Sequence, residues 1–214
     1  KKTGVTGICG SGIIEALGEM FLAGILKSDG TINGDLGKKS NRILEDGRTY
    51  KFLICENVII HQTDIRAIQL AKAALHAGFK LLMSKAGISK VDRVVLAGAF
   101  GSHIDPKYAM ILGMVPDCKI VNVIAGGNSA GAGARMTLLN TNFRKEIEEV
   151  VKYIKKVETA IEPNFQEYFI DAMAFPHRTD KYENLKTQVD FSKIVLSDNL
   201  EKKKARSRRS LKRK

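Results

Sequence analysis

Two glycine-bearing segments of this 214-residue chain carry the residue types that meet a flat, phosphorylated ligand. In Val94-Val95-Leu96-Ala97-Gly98-Ala99-Phe100-Gly101, a β-branched apolar run stops at two glycines three positions apart, and Asp105-Pro106 then opens a helix. Lacking a Cβ, Gly98 and Gly101 let the backbone approach a planar group closely. A loop beyond the carboxyl end of a strand is also where open α/β sheets hold their ligands. The bordered group would be the adenine or ribose of a nucleotide; the same glycines equally suit a tight strand-to-helix turn with no ligand. In Thr6-Gly7-Ile8-Cys9-Gly10-Ser11-Gly12, the last three residues stand at the head of a helix. Free backbone N–H groups and the helix dipole favour an anion or a ribose there, although a close helix–sheet contact asks for the same small residues. This second segment is neither a Walker A motif nor a dinucleotide fingerprint, since no Gly-Lys-Ser/Thr and no strand-and-acid spacing accompany it.

A third segment, Ala125-Gly126-Gly127-Asn128-Ser129-Ala130-Gly131-Ala132-Gly133-Ala134, runs small residues into a helix. Glycine costs about 1 kcal/mol against alanine in a helix interior, so this density predicts close packing on another backbone, with ligand contact by Asn128 as the alternative. Gln62-Thr63-Asp64-Ile65-Arg66 reads as a capped helix start with a first-turn acid, or else as a buried polar network. Lys72 reads as an exposed lysine, the alternative being a reach toward phosphate or purine. Cys9, Cys55 and Cys118 are dispersed and form no C-x-x-C pair, which fits a reducing, cytoplasmic setting and excludes a self-contained iron–sulfur site. His61, His76, His103 and His177 lack ligand spacing, so no metal site is predicted.

The elements that must position these residues follow from periodicity. Ile13, Ile14, Leu17, Phe21, Leu22 and Ile25 mark a first amphipathic helix ending between Gly24 and Gly30. Residues 28–50 read as a loop or polar hairpin, and 52–54 and 58–60 as short strands. Thr63 is the expected cap of a long helix to Ala86 with Ile65, Ile68, Ala71, Leu75, Phe79 and Leu82 on its apolar stripe. The Val94 strand, a helix over 105–113, a strand over 119–124 and helices over 127–139 and 142–155 come next. A strand over 157–161 and a last helix from Pro163 to Met173 complete the structured part. The expected fold class is α/β, a few-stranded sheet flanked by helices, over residues 1–176, with 177–214 a weakly structured extension.

The formal net charge of +12 is concentrated at one end. Residues 201–214 hold nine basic residues against one acid, a block that is solvated or meets a polyanion. No aromatic residue interleaves with it, which disfavours base stacking, so nucleic acid is not an expected partner except through this tail. No apolar run approaches the roughly 20 residues that span a membrane. The chain opens Lys1-Lys2 without methionine, as a piece of a longer product would.

Taken in order, Gly7-Ile8-Cys9-Gly10-Ser11-Gly12-Ile13-Ile14, Gln62-Thr63-Asp64-Ile65-Arg66 with Gln69-Leu70-Ala71-Lys72-Ala73-Ala74, Leu96-Ala97-Gly98-Ala99-Phe100-Gly101 and Gly127-Asn128-Ser129-Ala130-Gly131-Ala132-Gly133-Ala134 resemble one family. Residues 4–177, including Phe165-Gln166-Glu167-Tyr168-Phe169-Ile170-Asp171-Ala172-Met173, are similar to the C-terminal part of the reductive activators of corrinoid proteins. That resemblance implies a partial actin-like (ribonuclease H-like) ATPase lobe of the acetate and sugar kinase, heat-shock ATPase and actin superfamily. It implies ATP with Mg as cofactor and a corrinoid protein as partner, returned from the cob(II) to the cob(I) state. It makes Gly98, Ala99, Phe100 and Gly101 the adenosine motif, allows Gly10, Ser11 and Gly12 a nucleotide contact, and makes the helix over 127–139 an interdomain connector. The family's Asp-x-Gly-Thr phosphate hairpins and its iron–sulfur cluster, carried by a ferredoxin-like domain of the parent, are absent from the sequence. The chain is therefore expected to contain no catalytic residue, to expose an apolar edge, and not to hydrolyse ATP alone. The alternatives are a piece of an acyl-CoA dehydratase activator or actin-like kinase, and a non-enzymatic partner-binding module.

Overall fold

The computed structural model describes residues 4–98 and 101–194. Its first helix, α1 (Gly10–Leu22), buries Ile14, Leu17, Met20 and Phe21 on one face, the positions that helical spacing selects. Residues 28–50 contain a short 3-10 turn (Gly34–Lys38) and the first arm of a hairpin. Strands β1 (Ile43–Asp46), β2 (Thr49–Cys55) and β3 (Val58–Ile60) form an antiparallel meander in which Phe52 pairs with Ile43 on one side and Ile60 on the other. These three side chains share the buried face, while Leu44 and Ile59 point outward, as a period of two requires.

Helix α2 (Gln62–Lys85) follows. It is capped by His61 and not by Thr63: the His61 side chain and Asp64 close a reciprocal box, with the His61 amide donating to Asp64 Oδ2 at 2.8 Å. Beyond it, β4 (Val94–Ala97) pairs in parallel with β5 (Val123–Gly127), and α3 (Pro106–Ile111) connects them under an Asp105 cap. The second strand thus begins at Val123, four residues later than periodicity predicts, because residues 120–122 make a 3-10 turn. Helices α4 (Ser129–Leu139) and α5 (Asn142–Val151) pack on each other. Residues 157–161 form no strand; they hold a 3-10 turn, Thr159–Ile161, ahead of α6 (Phe165–Asp171).

The largest departures from expectation concern α2 and the chain after Pro176. Leu75 and Leu82, placed by sequence on the apolar stripe, are 51% and 57% exposed. The buried face of α2 consists instead of Ile65, Gln69, Lys72, Ala73, His76, Ala77 and Leu81. Its polar members face a C-terminal strap. Gln69 Nε2 donates to the Met173 carbonyl (2.6 Å), and Lys72 Nζ donates to the carbonyls of Ala174 (2.5 Å) and Pro176 (2.8 Å). Phe175 packs on Phe21, its ring 5.2 Å from Lys72 Nζ, and its amide donates to the Ser28 carbonyl.

Residues 177–194 are accordingly not a weakly structured extension. They contain α7 (Glu183–Gln188) and bury Tyr182 and Leu185 in the core, with Asp117 accepting the Asn184 and Leu185 amides at the helix start. Residues 195–214, including the basic tail, lie outside the described residues. One core joins α1, the meander, α3 and the strap through Leu17, Phe21, Ile60, Met110, Phe175 and Leu185.

Candidate functional site

Strand β4 ends at Gly98, whose φ of +98° no β-branched residue holds easily. Its amide donates to the Gly127 carbonyl at 2.7 Å, carrying the parallel ladder one rung beyond the strands. Its own carbonyl accepts the Ser102 amide (3.1 Å) and hydroxyl (2.8 Å), which folds the loop back on itself. Among the described residues, a Cβ on Gly98 would meet no atom within 4 Å, and the same holds for Gly127, at φ +65°. Gly101 differs: a Cβ there would press on the Leu96 carbonyl carbon at 3.1 Å, so this glycine serves close backbone packing. Ala99 and Phe100 lie outside the described residues.

The carboxyl ends of β4 and β5 therefore present two adjoining left-handed glycines over open space. Sequence reasoning had singled out Gly98 and assigned Gly127 to a helix. The usable signal was Asn128, whose side chain accepts the Gly131 amide at 3.0 Å and so marks the true cap of α4. That bond occupies the side-chain oxygen that a ligand contact would use.

Gly10, Ser11 and Gly12 form the first turn of α1, as predicted. Cys9 is the cap residue: its Sγ accepts the Gly12 amide at 3.4 Å and lies 3.4 Å from Ser11 Oγ. These contacts, the Ser11 one foremost, hold the exposed Cys9 thiol below its ordinary pKa. A Cβ on Gly12 would crowd Ile8 and Cys9, which accounts for that glycine locally. α1 is tied to the Gly98 loop through α3: Gly18 lies against the Tyr108 ring, and the Tyr108 hydroxyl donates to Glu19. The first turn of α1 is eight residues, about 12 Å of helix, from that contact. The structure thus couples Gly98 directly to Gly127 and only indirectly to Gly10, Ser11 and Gly12.

Lys72, read from sequence as exposed, is fully buried against the strap. Burial pulls its ammonium down to about 7. Gln62 and Arg66 likewise serve structure: Gln62 bridges the Ile32 amide and the Gly30 carbonyl, and Arg66 holds the Asp29 carbonyl and Gln69. α4 buries none of its residues among the described ones, where it packs on α5. The three cysteines do not group with one another among the described residues, so they do not fit an iron–sulfur cluster.

Residues 1–186 match the family described as the C-terminal domain of RACo, the ASKHA domain. The chain belongs to this family. It is similar to the corrinoid activation enzyme RamQ of Eubacterium limosum, at 34% identity over 184 residues, which is 79% of this chain and 31% of that enzyme. It is also similar to a solved reductive activator for corrinoid, iron-sulfur protein, with a TM-score of 0.71 at 31% identity, covering 81% of this chain and 29% of that one. The chain spans about a third of the length of these relatives. Its α/β architecture, small sheets flanked by helices, is that of an ASKHA domain, a nucleotide-binding class of fold. No helix among the described residues is long and apolar enough to cross a membrane.

Proposed function

We propose that this ASKHA domain is the ATP-binding lobe of a reductive activator that returns corrinoid proteins from the cob(II) to the cob(I) state. The observation that carries the reading is the open glycine pair at the carboxyl ends of β4 and β5, Gly98 and Gly127, in a chain of this family. In an open parallel sheet that position faces the ligand crevice, and neither glycine is explained by packing among the described residues. Gly98, Ala99, Phe100 and Gly101 would border adenosine. Gly10, Ser11 and Gly12 would form the facing helix start, with the Gly10 and Ser11 N–H groups turned to the nucleotide and the Gly12 amide kept by Cys9 Sγ. Mg would arrive with the phosphates, held by residues outside the described ones, and the electron-carrying cluster would belong to another part of the activator.

Reduction of cob(II) is uphill, and nucleotide binding or hydrolysis would supply the coupling. The lobe alone would bind nucleotide without turning it over. The test is an amide-resolved NMR titration of the purified chain with ADP and Mg. Saturable shifts at Gly98, Gly101 and Gly127 are expected; shifts confined elsewhere, or none, would refute the site. Exchanging this chain for the matching segment of the Eubacterium limosum relative tests the activity itself. Retained ATP-dependent reduction of cobalt, followed by absorbance, is expected.

A further inference from the structure

A glycine holds positive and negative φ about equally well, because no Cβ penalises either. The left-handed Gly98 at the end of β4 therefore needs its neighbours to keep it in one form. Its amide is tied to the adjoining strand by the 2.7 Å bond to the Gly127 carbonyl. Its carbonyl is held by a single residue, Ser102, through two donors: the amide at 3.1 Å and the hydroxyl at 2.8 Å. The hydroxyl bond is the one that serine and threonine make to a carbonyl four residues back. Two donors fill both lone pairs of that carbonyl. Gly98 is thus left with no backbone polar group to offer a ligand, and can meet one only through its bare Cα. Such a contact works when the backbone stands still.

Ser102 is well placed to hold it. The residue lies in a 3-10 turn, Gly101–His103, that packs on β4 and β5 alike. Gly101 beside it presses so closely on Leu96 that a Cβ would come within 3.1 Å of the Leu96 carbonyl carbon. The half-buried Ser102 hydroxyl is therefore delivered to Gly98 by backbone that is itself seated on the sheet. Among the described residues, Ser102 Oγ makes this bond and no other. The Ser102 amide alone would close the turn, so the hydroxyl adds rigidity at Gly98 and not a link that the fold requires.

We propose that Ser102 is a positioning residue for the nucleotide. Its hydroxyl locks the Gly98 carbonyl, and with it the left-handed turn, in the form that lets a base or ribose lie against the Gly98 Cα. The inference rests on the nucleotide reading above. A loop fixed in its bound form gains affinity because no ordering cost is left to meet on binding. Loss of one such hydrogen bond corresponds to about 5-fold in affinity.

The test compares the 214-residue chain with Ser102→Ala and Ser102→Thr in the titration with ADP and Mg, followed at the Gly98 amide, alongside each variant's thermal midpoint. Ser102→Ala is expected to bind ADP about 5-fold more weakly with its midpoint unchanged. Ser102→Thr, which keeps the hydroxyl, should restore the parent affinity. Parent affinity in Ser102→Ala would overturn the proposal while leaving the nucleotide site standing. Equal weakening in Ser102→Thr would overturn it too, as would a fall in the Ser102→Ala midpoint that accounts for its lost affinity, since the hydroxyl would then serve the fold. Absence of any Gly98 shift in the parent chain would instead refute the nucleotide site, and this role with it.

Discussion

Two regions of the molecule handle polar groups in opposite ways. Between α2 and the strap, Gln69, Lys72 and His76 are buried and committed to protein partners, and Gly113 leaves no room for a Cβ beside the Pro176 carbonyl. At the carboxyl ends of β4 and β5, Gly98 and Gly127 hold left-handed backbone that no described residue packs against, and α4 beyond them buries nothing among the described residues. The first arrangement is what a fold needs to hold its own chain; the second is what it needs to meet something else. Substitutions should separate them, with folding lost on one side and binding on the other.

Gly113→Ala should be the most damaging. The new methyl would overlap the Pro176 carbonyl at a residue with φ +73°, and a loss of about 3 kcal/mol is expected in the urea midpoint. Lys72→Met comes next. It keeps the stem but strands the Ala174 and Pro176 carbonyls, at about 2 kcal/mol, while nucleotide-induced shifts at Gly98 should persist. Gly98→Ala reverses the pattern. Strain at φ +98° should cost about 1–2 kcal/mol, and binding of ADP should fall well below that of Lys72→Met in the same titration.

The strap side should also respond to pH. Burial takes Lys72 from its ordinary 10.5 to about 7, and His177 from 6.5 to about 4. Between each pair of values the unfolded chain holds a proton that the folded chain has released, so stability rises with pH across both windows. The gain ends above pH 10, where buried Tyr182, its phenol pushed well above 10, resists the ionisation that the unfolded chain undergoes. Urea midpoints measured against pH should flatten between 4 and 6.5 in His177→Gln. The smallest effect is expected on the open side: Leu139→Ser, at a side chain 81% exposed, should change stability by less than about 0.5 kcal/mol while reducing self-association.

Local chemistry was readable from sequence wherever it is completed by near neighbours. The Asp105-Pro106 start of α3, the α1 stripe from Ile14 to Phe21, and the break at Gly98 all depend on residues within a turn or two. The buried face of α2 was not readable, although Ile65, Gln69, Lys72, His76 and Lys80 recur at helical spacing. A stripe of such residues ordinarily faces water, and here the carbonyls that satisfy it belong to Met173, Ala174 and Pro176, about a hundred positions away. The apolar alternative, Leu75 and Leu82, was the more orthodox core and proved to be surface. The same long range hid the stacking of His76 on His177, which lie about a hundred positions apart.

The strap's attachment bears on where this domain can be cut. A clone ending at Pro176 looks reasonable from hydropathy, yet it would remove Tyr182 and Leu185 from the interior and leave His76 and Lys80 without Asp180. Such a product would offer proteases a ragged groove along α2, whereas one that retains residues through 194 closes it.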